Sequence, residues 1–415
     1  MNNQAQIKSA ITSLRNNTNN AGQAKRPLYK LALALTITTS ALSAADAWAK
    51  TDAAWNFTGS MSVGRFVFTA TTLQNGKVLV AGGATPDNTN TNTADLYDPA
   101  SGTFTPTGSM HEARVGFAAT RLPGGKVLVE GGVNNTARVK TAEIYDPATG
   151  TWSNTASMKQ PRSAQSAILL RDGTVLVSGG NMDRTPCTGT DPTACVTTLA
   201  TSEIYNPSTG QWTTVGEMTI PRSFHTTTLL ANGRVLATGG RIHTGPDYFD
   251  LKAIADADLY DPATGKWSAT GTMTISRTDH SASLLPNGQV LVAGGETVDF
   301  NGVTVASAEL YNPVTGTWTA TGSMFLSRER QTANVLQNGQ VLIAGGDFYD
   351  GVNGGFLTEC ELYDPALGTW SATASMSTPR FGARAALLRD GRVLEAGGAT
   401  DFNVTPTATA ELYTP

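Results

Sequence analysis

The chain has 415 residues, 15% charged and 40% hydrophobic, an ordinary globular composition that excludes a disordered or collagen-like protein. Its net charge is −4, and no basic cluster follows the N-terminal segment, which argues against a nucleic-acid partner. Forty-three Gly and nineteen Pro point to short strands joined by tight turns, and so to an all-β chain.

The first fifty residues stand apart from this pattern. Lys25, Arg26 and Lys30 precede an apolar run, Leu31 to Leu42, that ends in small residues and Ala47-Trp48-Ala49. That layout predicts a signal peptide over residues 1–49, cleaved after Ala49, and a domain over 50–415. The run is too short to span a bilayer comfortably, and no second long apolar stretch follows. The expectation is a secreted or periplasmic protein, monomeric, with no membrane span after cleavage. Cleavage removes Lys8, Arg15, Lys25, Arg26, Lys30 and Asp46, leaving 24 basic against 32 acidic residues.

Beyond the leader, a Gly-Gly pair follows an apolar run seven times, at 82, 131, 179, 239, 294, 345 and 397, so the intervals are 48 to 60 residues. Each unit reads as four strands. In the fifth, Ser281 to Leu285, Val290 to Ala293, Ala308 to Tyr311 and Thr317 to Thr321 are separated by Pro-Asn-Gly, a variable loop and Asn-Pro-Val-Thr-Gly. The Asn-Gly or Asp-Gly pairs between the first two strands predict type I′ turns.

A Tyr (97, 145, 205, 260, 311, 363, 413) and a downstream Trp (152, 212, 267, 318, 370) recur in order after the Gly pairs, with Phe104 at the Trp place of the first unit. In this combination the chain resembles the kelch-repeat family, whose period is near ~50 residues. The resemblance implies a seven-bladed β-propeller with four-stranded antiparallel blades. Trp55 to Met61 then supplies the outer strand of a composite seventh blade whose third strand is Ala410 to Tyr413, closing the ring.

An Arg stands four residues after a Met in every unit (65, 114, 162, 222, 277, 328, 380), and an acid stands two before every Tyr (95, 143, 203, 258, 309, 361, 411). Matched counts at one rim predict structural ion pairs. In several kelch-type proteins arginines of this loop face the partner, so the resemblance also offers a binding role.

Three residues after each Arg the position varies as Phe68, Phe117, Gln165, His225, His280, Gln331 and Ala383, which is expected to border the central channel. The loops between strands two and three vary most, and loops on a rigid scaffold usually carry recognition. The longest are Asn181 to Ser202, holding Cys187 and Cys195 as an expected disulfide, and Arg241 to Ala257. The opposite rim, built of short uniform hairpins, is expected to be functionally quiet.

These observations converge on a candidate ligand-binding rim formed by units four to six: Arg222, His225, Arg241, His243, Tyr248, Arg277, Asp279, His280, Glu296, Arg330, Gln331 and Asp347. Such residues suit a protein or glycan ligand, while each His taken alone is more often a hydrogen-bonded structural side chain.

The favoured reading is an exported recognition module for an extracellular or periplasmic protein or glycan. Resemblance to the galactose oxidase propeller and to the bacterial sialic acid mutarotase suggests the alternative of a carbohydrate-active enzyme, with His225 or His280 paired with Glu296. Copper chemistry fits poorly, because its Tyr–Cys pair belongs near the channel and Cys360 falls on a third strand. No cofactor and no metal site are expected from the residue spacing.

Overall fold

The computed structural model describes residues 53–183, 196–245, 251–297, 302–401 and 403–415. They form seven four-stranded antiparallel sheets, each a meander in chain order except the last. The fifth blade, for example, runs Ser281–Leu284, Val290–Ala293, Ala308–Asn312 and Thr317–Ala320. The seventh joins Arg384–Leu387, Val393–Ala396 and Ala410–Thr414 to the first described strand, Ala54–Phe57, as the expected closure requires. Trp55 pairs with Tyr413 in that register, and their rings sit 5.2 Å apart.

Burial explains the composition of each strand. The second strand of every blade is buried at all four positions because it has a strand on either side and a blade on either face. It is accordingly a run such as Val-Leu-Val-Ala. The innermost strands are half-buried and rich in Thr, Ala and Ser, since seven of them converge and leave no room for large side chains. Outer strands alternate exposed residues with one buried or half-buried aromatic, which packs on the blade's Tyr at 4.8 to 5.2 Å in all seven cases.

The first hairpin of each blade differs from the expected type I′ turn. In the Leu73–Lys77 turn only Gly76 has positive φ, its N–H donates to Leu73 O, and Leu73 N–H donates to Lys77 O. Asn75 keeps an ordinary φ and accepts the Lys77 N–H on its side chain. This is a type I turn closed by a glycine bulge, in which Asn serves as an Asx acceptor rather than as a second left-handed residue.

The repeated Arg and acid sets are structural ion pairs, all seven within one blade. Arg277 is fully buried, donates to Glu309 at 3.1 Å, and also reaches the Gly294 and Ser307 carbonyls at 2.8 and 2.9 Å. Glu309 in turn accepts the Thr274 and Ile275 backbone N–H groups, fixing the loop that enters the blade. The other six repeat this arrangement with Arg–acid distances of 2.8 to 3.1 Å.

Candidate ligand site at the channel mouth

Two residues beyond each structural Arg the backbone takes a positive φ: Val67, Gly116, Ala164, Phe224, Asp279, Arg330 and Gly382. At six of the seven steps from one blade to the next, the N–H at this position donates to the carbonyl of its predecessor, as in Arg330 to Asp279 at 3.0 Å and Asp279 to Phe224 at 3.3 Å. The resulting belt of backbone hydrogen bonds binds the inner loops together around the channel mouth. Only Asp279 and Arg330 bring charged side chains to it. A non-glycine residue at positive φ is strained, and such strain persists only where surrounding structure holds it.

The residue before each belt position bridges to the residue after a Gly-Gly pair. Thr278 pairs with Glu296, Glu329 with Asp347 and Ser223 with Arg241. From these bridges the second-to-third loops leave as small hairpins: Asn181–Asp183 with Val196–Thr198, Arg241–His243 with Leu251–Ala253, Glu296–Thr297 with Val303–Thr304, and Asp347–Tyr349 with Gly354–Phe356. Blades three to six carry these ledges. The first, second and seventh instead have single bridges at Ala84, Val133 and Ala399.

Belt and ledges together gather Arg241, Asp279, Glu296, Arg330 and Asp347, five of the predicted residues, with Glu329, which the sequence reading passed over. Arg330 lies 3.2 Å from Glu329, 3.5 Å from Asp347 and 4.0 Å from Asp279; Arg241 lies 3.8 Å from Asp279. The Arg241 guanidinium also covers the Phe224 ring at 4.0 Å. Burial and mutual repulsion push the acids up: Asp347 to about 6, Glu329 well above the usual carboxylate range, and Glu296 upward. Glu329 Oε2 and Asp347 Oδ1 are buried without a hydrogen-bond partner. The structural pairs are shorter and multiply bonded, whereas this cluster is loosely joined.

The remaining predicted residues lie elsewhere. Arg222 and Arg277 are scaffold, Arg222 being bound to Asp258 at 2.8 Å. His225, His280 and Gln331 do not border the channel as expected; they wedge into the seam with the preceding blade. His225 Nε2 meets Ser178 Oγ at 3.2 Å, and His280 Nε2 meets Thr226 and Thr238 Oγ1 at 3.0 and 3.3 Å. Gln331 donates to the Ala293 carbonyl at 2.9 Å. The seam is close because the Gly-Gly pair has no Cβ: at Gly239, φ +55°, one would fall 2.5 Å from Arg277 O and 2.8 Å from His280 Cε1. Burial drives the His280 pKa down to about 3 and that of His225 well below its ordinary value, so both imidazoles are neutral wedges. Their Nε2 atoms are turned to seam hydroxyls rather than toward a shared acid–base pairing with Glu296.

His243 joins the ledges of blades three and four, its Nδ1 standing 3.0 Å from Thr198 Oγ1. Tyr248, Cys187 and Cys195 lie outside the described residues. Two further charged residues were also missed. Arg384, on the innermost strand of the seventh blade, is half-buried and feels both Glu395 and Asp279. Glu395 is pushed up to about 7 by burial and accepts Thr332 Oγ1 at 2.7 Å.

A Kelch motif model matches residues 114–159, the second blade from its structural Arg to the start of the next loop. A Kelch-like protein of Aspergillus terreus is 28% identical over 153 residues, covering 35% of this chain and 33% of that protein. An F-box/kelch-repeat protein of Arabidopsis thaliana is 32% identical over 120 residues, 29% of this chain and 30% of the relative. Beta-scruin of Limulus polyphemus is 27% identical over 199 residues, 47% and 21%. The matched stretches thus span a third or less of each relative.

Among solved structures, a fungal alcohol oxidase of the AA5 family in complex with copper superposes with a TM-score of 0.66 at 18% identity, covering 88% of this chain and 77% of the other. That likeness concerns the fold. The copper set does not fit the described residues: Cys360 is buried in a seam with Trp55, Met376 and Tyr413, and its thiol faces the Thr358 carbonyl at 3.4 Å. The chain thus carries a Kelch motif in its second blade, is similar to Kelch-like proteins over part of its length, and folds as a closed seven-bladed β-propeller.

Proposed function

We propose that the protein is an exported recognition module that takes a protein or glycan ligand at the channel mouth of blades four to six. One observation carries this reading. The seven structural Arg–acid pairs close at 2.8 to 3.1 Å, yet the second charged cluster, at the mouth, is joined only at 3.2 to 4.0 Å and leaves a carboxylate oxygen of Glu329 and of Asp347 without a donor. Stability alone favours burying such groups fully paired or replacing them. The kelch-type relatives and the ledged rim support a binding role, and the leader-like N-terminus supports export.

The test is a screen of the purified protein against immobilised glycans and extracellular proteins, repeated with Asp279→Ala and Arg330→Ala. Every specific ligand is expected to lose at least tenfold in affinity in both variants. Retention of a ligand by both would move the site off the mouth. Sequencing of the exported protein's N-terminus is expected to begin at Lys50, and an uncleaved chain would overturn the export reading.

A further inference from the structure

The mouth cluster, taken as the binding site proposed above, has a particular deficit. Four carboxyl groups, Asp279, Glu296, Glu329 and Asp347, surround two guanidinium groups, Arg241 and Arg330. Arg384 interacts first with Glu395 and then with Asp279. With all four carboxyls ionised, two negative charges would be left without a counter-charge.

Of the buried unpartnered side-chain atoms in this cluster, two are carboxylate oxygens and one is the Arg241 Nε. Glu329 is 5% exposed, and its Oε2 has no donor although Oε1 meets Arg330. Asp347 Oδ1 also lacks one, and Glu296 forms no ion pair among the described contacts. Glu329 and Asp347 are reciprocally bridged through their backbones at 2.9 and 3.1 Å, which holds both carboxyls over the same spot. Several acceptors converging on one place require a group with several N–H donors and a positive charge.

We propose that the mouth receives the ammonium or guanidinium end of a Lys or Arg side chain presented by a protein partner, with Glu329 and Asp347 as its principal acceptors. Three observations favour such a side chain over a sugar ring. The unpartnered oxygens of Glu329 and Asp347 are buried, so a slim chain with a terminal charge reaches them more easily than a pyranose does. The Phe224 face, a platform for stacking a sugar, is already covered by Arg241. The four ledges rise on one side of the mouth, offering an uneven collar to a folded surface. The elevated carboxyl pKa values agree with this assignment, since an entering cation replaces the retained protons.

The test uses the full chain and the peptide acetyl-Gly-Gly-Lys-Gly-Gly-amide, with norleucine in place of lysine as control and glucosamine as the sugar-borne amine. Calorimetry at pH 6 in two buffers of different ionisation enthalpy reads both affinity and proton release. The lysine peptide is expected to bind at least tenfold more tightly than the norleucine peptide and to release protons. Glu329→Gln and Asp347→Asn, checked for fold by circular dichroism, are each expected to weaken it tenfold or more, whereas Asp172→Asn on the opposite rim leaves it unchanged.

Equal binding of the two peptides, no binding of either, indifference to both carboxyl variants, or glucosamine binding in place of the lysine peptide would each overturn the proposal. If the lysine peptide fails while a screened ligand is still lost in Asp279→Ala, the cationic assignment falls and the mouth as binding site stands.

Discussion

His225 Nε2 lies 3.2 Å from Ser178 Oγ, across the seam between the third and fourth blades. The last residue of a second strand and the residue three after the next blade's structural Arg share each seam: Ala81 with Phe117, Glu130 with Gln165, Ser178 with His225, Thr238 with His280 and Ala293 with Gln331. A hydroxyl accompanies each imidazole, Ala faces the Phe117 ring and the Gln331 amide, and Gln165 instead donates to the backbone carbonyl of Glu130. Ser178→Ala should strand His225 and cost about 1–2 kcal/mol. The double change Ser178→Ala with His225→Gln copies the Ala293–Gln331 seam and should recover most of that loss in chemical denaturation. No recovery would mean that the seams are not interchangeable units.

The same imidazoles give the ring an acid sensitivity. His280 is held neutral down to about pH 3 and His225 is also strongly depressed, whereas both take a proton near pH 6.5 once unfolded. The unfolded chain therefore binds more protons in that window. The stability these groups contribute is complete above pH 6.5 and is lost as pH falls toward 3. A His225→Gln, His280→Gln double variant should show a shallower fall in unfolding free energy between pH 6.5 and 4 than the parent chain. Parallel pH profiles would exclude the pair as the source.

Six of the seven blade tyrosines donate to or accept from a Thr of the preceding blade's outer strand, as Tyr311 does with Thr270 at 2.7 Å. Tyr260 is the exception. Val215 occupies the Thr place in its cluster, the hydroxyl has no partner, and burial pushes its pKa up to about 12. Val215→Thr should supply the missing bond and raise stability by about 1 kcal/mol. The gain should be measurable as a higher denaturation midpoint with an unchanged slope.

Much of this was legible because a sevenfold repeat compares each position with itself. Seven Gly-Gly pairs, the Tyr–Trp sets and the Arg–acid sets fixed the blade count, the closure at Trp55 and the ion pairs. The side-chain direction at the His225 position was not legible, because alternation along a strand does not say whether the first residue faces a channel or a seam. Glu329 was overlooked although it is the only charged residue at its place, where the other units have Phe66, Val115, Ser163, Ser223, Thr278 and Phe381. The turn type was misread because an Asn-Gly pair serves both a type I′ turn and a glycine bulge, and only the φ of Asn distinguishes them.

The two kinds of arginine should separate by mutation. Arg277→Met leaves Glu309 buried and unpaired among groups arranged for a guanidinium, and should cost about 3–5 kcal/mol. Arg330 is one-third exposed and joined to its acids at 3.2 to 4.0 Å, so Arg330→Met should cost far less stability while altering ligand affinity. Thermal unfolding and a binding assay on the same two proteins should give opposite rankings. Equal stability losses would place Arg330 with the scaffold.

Glu329 tests whether the mouth is maintained at the expense of the fold. Its carboxyl holds a proton more tightly when folded than when unfolded, as does Asp347, which titrates near 6 instead of 3.8. The folded chain therefore binds more protons across that window. These acids favour folding at low pH and penalise it as pH rises, opposite in sign to the seam histidines. Glu329→Gln keeps the shape, removes the penalty and should raise unfolding free energy at pH 7.5 by about 1 kcal/mol while weakening the lysine peptide. A scaffold residue would behave in the reverse way, as Glu309 should when Glu309→Gln leaves Arg277 short of its counter-charge. Greater stability with poorer binding would identify Glu329 as a group kept for its ligand, and a loss of stability at pH 7.5 would return the cluster to the architecture of the ring.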